Sequence, residues 1–466
     1  MRLHARLRGE EPGYHDWPPE YECLLCLMWA LDALGIQATR RALEKRADTI
    51  IQCMTDSNRC FHSPPHVFDV AEGGDPLEVL AALYHDVVYV QGDDGINVNV
   101  GGYVAPFVRE IRGRLQVRDP EDLPADRAFE LVSRIFEIQP GQHLALEQNE
   151  FLSALVAVKQ LSGLLSWPQL AAMAACIEAT IPFRPSSSRG AKPSEQLHQR
   201  LQDINTCYDF HWTDAELVEM VRRSVRVANR DVENFAEERA ADFLNNTWKL
   251  LPETNPFLRS SSTYTVSQYR HALEKMTSFM HFLEPSLVFR QFREEPTTSR
   301  YEQMLQRAGK NISVARLYLN VKLVAIAILE GLSLRLGNDV PLTSLVGRGV
   351  ANEVDLSEWQ IRLPAVTPCY HPETAIEQET MELLSVGRTQ VSEFDIRNSP
   401  LATFLVKCLG FEAVVKLVDV AKEFFQDKIT ADQFLDRCDD KILKDVTSAI
   451  LKEFESRTSA LLDLRQ

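Results

Sequence analysis

The stretch "LEVLAALYHDVVYV", residues 77–90, decides how this chain is read. Nearly every side chain in it is apolar, as in a helix buried on all sides, yet Glu78, His85 and Asp86 are strongly polar. An unpaired carboxylate resists burial, whereas a divalent cation supplies the opposite charge and orients an imidazole. A cation held inside a helical bundle resolves the conflict. The plainer account of an isolated His-Asp pair is the solvated edge of a helix, so the surrounding sequence has to decide.

Upstream, "FHSPPHVFDV" (61–70) carries His62 and His66. Ser63 before Pro64 and Pro65 marks a helix start and Gly73-Gly74 its end, which puts His66 in the first turn and His62 just outside it. Asp75-Pro76 opens the next helix, the one quoted above. Downstream, "DAELVEMVRRSVRVANRDVENFAEE" (214–238) has an inward stripe of Leu217, Val221, Ser224, Ala228, Asp231 and Phe235. Asp231 stands where an apolar residue is expected. Imidazole and carboxylate in the order H…HD…D suit Zn, Mn, Fe or Ni, with Mg if water completes the shell.

Helical periodicity dominates the rest, so the chain reads as all-α. Residues 22–36 and 38–55 are expected helices, as are 126–137, "NEFLSALVAVKQLSGLL" and "WPQLAAMAACIEAT". Residues 91–125 read largely as loop, with a strand or hairpin only at "INVNVGGYV". "IPFRPSSSRGAKPSEQ" reads as a loop, and a capping box at Thr213 and Glu216 opens a helix expected to run to about residue 246. "LLPETNPFLRSSSTYT" is the candidate linker, followed by further helices ending in an amphipathic terminal stretch.

At 466 residues the chain is long enough for two domains or one large helical assembly, and 45% hydrophobic residues supply a core. A net charge of −16 without a long Lys/Arg block argues against binding an extended nucleic acid. Nine scattered Cys fit reduced thiols in a cytoplasmic protein; Cys23 and Cys26, the one CxxC, lie in an apolar run that reads as a buried helix. That run is too short to cross a bilayer, and "EEPGYHDWPPEYE" before it lacks the basic flank of a signal peptide, so no membrane is expected. His143, His198 and His211 lie in polar surroundings and are expected to be exposed, while Asp93 and Asp94 suit a turn.

Three ordered blocks carry a family resemblance. Arg59, Phe61, His62, His66 and Asp69 fit R-x-Y-H-x-x-x-H-x-x-D with Phe61 in place of tyrosine. Ala82, Tyr84, His85, Asp86 and Tyr89 fit A-x-x-F-H-D-x-x-Y, and Asn149, Glu150, Ser153 and Ala154 fit N-E-x-x-S-A. On these residues the chain resembles the HD superfamily of metal-dependent phosphohydrolases over residues 45–240. The resemblance implies an HD-domain helical bundle within 1–250 and leaves 251–466 as an additional helical domain without an assigned role. Residues 91–148 stand as an insert, either a lid or a partner surface. "IPFR" after Thr180 replaces a histidine that such relatives tend to carry, which favours one ion over two.

The resemblance further implies that His66, His85, Asp86 and Asp231 bind one divalent ion (Mn, Fe, Zn, Ni or Mg) and that a small phosphorylated substrate is hydrolysed. His62, Arg59 and Glu150 are the candidate catalytic residues: His62 toward the phosphate or leaving oxygen, Arg59 as a planar fork, Glu150 as a group holding a histidine tautomer. Two other classes stay open: a non-catalytic HD module that senses a nucleotide or metal, and an HD-type iron oxygenase. The C-terminal helices are candidates for a homodimer contact.

Overall fold

The computed structural model describes residues 17–463 apart from positions 57, 94, 146–147, 189, 260–263, 347–361, 367, 369, 391 and 393. Helix accounts for 66% and strand for 3%, so the protein is all-α. The chain divides into two compact units, Met1–Glu233 with Pro285–Leu305, and Asn234–Glu284 with Gln306–Gln466. The division thus falls ahead of residue 250, and the chain crosses between units more than once. The expected linker holds a short helix, Leu250–Thr254, and a turn of 3-10 helix, Pro256–Arg259.

In the first unit the helices are α1 (Pro19–Ala33), α2 (Arg40–Met54), α3 (Pro64–Ala71), α4 (Pro76–Tyr84), α5 (Val98–Val104), α6 (Arg127–Phe136), α7 (Asn149–Leu161), α8 (Trp167–Ala179), α9 (Pro193–Tyr208) and α10 (Asp214–Asp231). Helices α4, α7 and α8 are buried along almost their whole length, and α8 packs against α4, α7 and α10. Cys23 and Cys26 are core residues of α1. Asp75 caps α4 by accepting from the Leu77 and Glu78 N–H groups. Thr213 and Glu216 form the expected capping box at the start of α10.

Three expectations are corrected. First, α4 ends at Tyr84, so His85 and Asp86 occupy its C-terminal cap and the following turn instead of the helix body. Second, "INVNVGGYV" is helical: the Asn97 side chain caps the Asn99 N–H, and Val100 and Val104, four residues apart, enter the core while Val98 is 88% exposed. The hairpin lies just beyond, β1 (Val108–Ile111) against β2 (Arg114–Val117), turned through Arg112 and Gly113, both at positive φ. Phe107, Phe129 and Phe151 join this region to the core, so 91–148 is largely folded structure. Third, α10 stops at Asp231 instead of about 246; the chain turns through Glu233–Ala236 before a separate helix, α11 (Ala240–Trp248).

The second unit is built on α11, α12 (Val266–Phe282), α13 (Thr298–Arg335, whose first turns belong to the first unit), α14 (Ala375–Ser385), α15 (Pro400–Phe425) and α16 (Asp440–Asp463). By length and composition α13 is apolar enough to cross a membrane, but 78% of its most apolar window is buried. At the core of this unit Arg388 and Lys322 share Asp395 Oδ2 at 3.2 and 3.3 Å, and Trp248 Nε1 donates to the same oxygen at 2.9 Å. Both cations lie over the Trp248 ring, which covers them from a second side.

Candidate metal centre

Four side chains from three stretches of the first unit converge. His66 comes from the first turn of α3, His85 and Asp86 from the end of α4, and Asp231 from the last residue of α10. His66 Nε2 lies 3.1 Å from Asp231 Oδ1 and 3.4 Å from Asp86 Oδ2; His85 Nε2 lies 3.3 and 3.0 Å from the same two oxygens. Despite these distances, His66 Nε2, His85 Nε2 and Asp86 Oδ2 are buried without a hydrogen bond of acceptable geometry. Among the described residues His66, His85 and Asp231 offer ligand atoms that all lie within 4.8 Å of one another, a set that could hold a metal ion, with Asp86 beside both imidazoles. With metal–ligand bonds of ~2.1 Å, neighbouring ligands sit about 3.0 Å apart around an octahedral ion and about 3.4 Å around a tetrahedral one. The observed separations span that interval.

The sequence around each ligand explains its aim. Leaving α4 frees the last helical carbonyls, and His85 Nδ1 lies 2.8 Å from Ala82 O, where it donates its proton and leaves Nε2 as the lone-pair nitrogen. The chain beyond Asp86 is then pinned to α7: Val88 N–H donates to Ser153 Oγ at 3.0 Å and Val90 N–H to Asn149 Oδ1 at 3.2 Å. These two bonds give Asn149 and Ser153 of the third block their task. Glu78, the remaining polar residue of the opening stretch, binds Arg226 at 2.7 Å and Arg230 at 2.9 Å on α10. Arg230 Nε also donates to Val70 O at 2.7 Å, so the residue beside Asp231 holds the end of the helix that carries His66.

Charge follows this packing. Burial works against protonating His66, but the Asp231 and Asp86 carboxylates outweigh it and hold the imidazole up at about 9. His85 is raised for the same reason. Burial works the other way on the acids, yet His85, His62 and His66 hold Asp86 well below the usual carboxylate range, and His66 and His85 bring Asp231 to about 2. The two carboxylates thus favour the protonated form of both imidazoles.

The three candidate catalytic residues fall in different places. The His62 ring sits 6.0 Å from that of His66 and 4.3 Å from that of Tyr89, within electrostatic reach of Asp86. Glu150, at the start of α7, has a buried Oε2 without a hydrogen-bond partner; burial and the Asp86 and Asp231 charges push its carboxyl up to about 8. Arg59 is buried, and its fork is filled by both Asp93 oxygens at 2.7 and 2.6 Å, while Nη1 donates to Asp86 O at 2.7 Å. It braces the ligand turn and is neither a surface residue nor a fork held open for a phosphate. Asp94 lies outside the described residues. His143 and His211 are exposed, whereas His198 is buried beside Phe292.

Sequence reasoning missed a second polar group in an apolar helix. Glu178, within "WPQLAAMAACIEAT", is fully buried and binds Arg184 and Arg200 at 2.6 and 2.7 Å. The signal was the same one that exposed His85 and Asp86, a carboxylate where the pattern calls for an apolar residue. Comparison of the chain with protein-family models, curated proteins and solved structures found no match.

Proposed function

We propose that the protein is a metal-dependent phosphohydrolase of the HD type, acting on a nucleotide or another small phosphorylated metabolite. The supporting observation is the set of ring nitrogens and carboxylate oxygens 3.0–3.4 Å apart, brought together from three separate stretches of the chain. The order of the blocks, the H…HD…D pattern and the N-E-x-x-S-A block resemble that superfamily and point the same way.

In this reading His66, His85, Asp86 and Asp231 hold one divalent ion, drawn from Mn, Fe, Zn, Ni or Mg. When bound, the ion supplies Lewis-acid polarisation of a phosphoryl oxygen and a water of lowered pKa. His85 is kept in the ligating tautomer by Ala82 O, and Arg59 with Asp93 fixes the turn that presents Asp86. Glu150, a carboxyl that retains its proton near neutrality in the metal-free centre, exchanges a proton with water or with the leaving oxygen. His62, beside His66 and Tyr89, donates to the phosphate.

The test is hydrolysis of a generic phosphoester by Mn-loaded protein, compared with chelator-treated protein and with Asp86→Ala. The expected result is activity that disappears in both controls. Full activity in Asp86→Ala removes the proposal, and tight metal binding without turnover of any phosphoester selects a sensing module instead.

A further inference from the structure

Two arginines bind one buried carboxylate, and a third lies within reach of its charge. Glu178 Oε1 receives Arg184 Nη1 at 2.6 Å and Arg200 Nη2 at 2.7 Å, and Arg184 Nη2 donates to the Glu178 carbonyl at 3.1 Å. Arg290 is the third. Its side chain donates to Ile181 O, and its backbone is held on both sides by Asn229, with N–H to Oδ1 at 2.8 Å and Nδ2 to carbonyl at 2.9 Å. Asn229 precedes Asp231 by two residues, and Arg290 feels the charges of both Glu178 and Asp231.

The positive charge here is not balanced. One carboxylate oxygen serves two guanidinium groups, while Glu178 Oε2, Arg184 Nε and Arg290 Nη1 are buried without a partner. The next acid, Glu137, reaches only Arg200, at 3.6 Å, and its side chain is 64% exposed. Two guanidinium groups with unused donors in a buried setting repel each other and carry an uncompensated desolvation cost. A fold that needed only to neutralise Glu178 would use one arginine.

We propose that Arg184 and Arg290 form a seat for a second phosphate group of the substrate, with Arg200 and Glu178 fixing the geometry of the seat. Arg184 gives access, since it lies on the loop after α8 and its side chain is 27% exposed. A tetrahedral oxyanion takes charge-assisted hydrogen bonds from Arg184 Nε and Arg290 Nη1, the donors left over. This rests on the phosphohydrolase reading for its substrate and narrows that substrate to molecules bearing two phosphate groups, such as a nucleoside diphosphate or a bisphosphorylated metabolite.

Inorganic phosphate is the probe, titrated into the chelator-treated full chain by calorimetry, with Mn2+ titrated separately. Phosphate is expected to bind without metal, and Arg290→Met to weaken it about tenfold or more. Arg184→Gln, at the more exposed position, is expected to do the same in a protein that melts like wild type. Arg184→Gln keeps Mn2+ affinity within about twofold, because the proposed ligands are untouched. Phosphate binding that is absent from the metal-free wild type, or equal in wild type and both variants, overturns the seat even if Mn2+ binds. Phosphate binding that depends on both arginines in a chain that takes no Mn2+ upholds the seat and removes the metal reading.

Discussion

At the scale of single residues, the centre turns on what each imidazole does with its two nitrogens. Ala82 O takes the His85 Nδ1 proton and leaves Nε2 to face Asp86 and Asp231. For His66 the consequence is a pH dependence with a definite sign. Its pKa in the folded metal-free protein, about 9, stands above the ordinary 6.5. Its protonated form therefore stabilises the metal-free fold fully below about 6.5, and that contribution is lost as pH rises through about 9. A cation needs the neutral ring, so metal affinity moves oppositely, rising across the same window as binding releases protons. Calorimetric Mn2+ titrations in buffers of different ionisation enthalpy read this directly, and an affinity that stays flat over that range contradicts the assignment of His66 as a ligand.

At the scale of elements, α4 and α10 are joined through Glu78, whose side chain is 2% exposed between Arg226 and Arg230. Glu78→Gln leaves two arginines facing a buried neutral amide, and the expected cost is about 3 kcal/mol. Thermal unfolding measures it, and an unchanged melting temperature shows that the two helices are held by apolar packing alone. Ser153→Ala strands the Val88 N–H, with an expected loss of about 1–3 kcal/mol. Elements of this kind were legible where a local device set them. Asp75-Pro76 and the Thr213/Glu216 box start helices where the sequence says they do, because a cap depends on a few consecutive residues. Helix ends were not legible. Nothing in "ALYHDVVYV" or "VANRDVENFAEERAADFL" signals a stop, and the chain beyond α4 is held elsewhere by side-chain ties to α7 that the local sequence does not show. The alternation in "INVNV" misled for a related reason, since the burial that matters is Val100 with Val104, set by what packs on that segment. The His85, Asp86 and Asp231 positions were readable as misplaced polar residues in apolar runs. The arginine cluster was not, because Arg290 bonds to Ile181 O, close to Glu178, from more than a hundred positions away.

At the scale of the molecule, all four proposed ligands belong to the first unit, so the proposal predicts that a cation stabilises that unit. At a free Mn2+ concentration about 100-fold above Kd the expected gain is ~2.7 kcal/mol. It is read as a rise in melting temperature that chelator reverses and Asp231→Asn abolishes, and identical melting with and without Mn2+ counts against the centre. The interrupted path of the chain has a further consequence during synthesis. The last ligand, Asp231, emerges before the stretch 234–284 of the second unit, whereas Arg290 arrives only after it. A nascent chain paused between those points already has every group proposed to capture an ion but lacks the residue proposed to hold the second phosphate. If both proposals hold, ion loading can precede substrate competence during synthesis, because of the order in which the chain leaves one unit and returns to it.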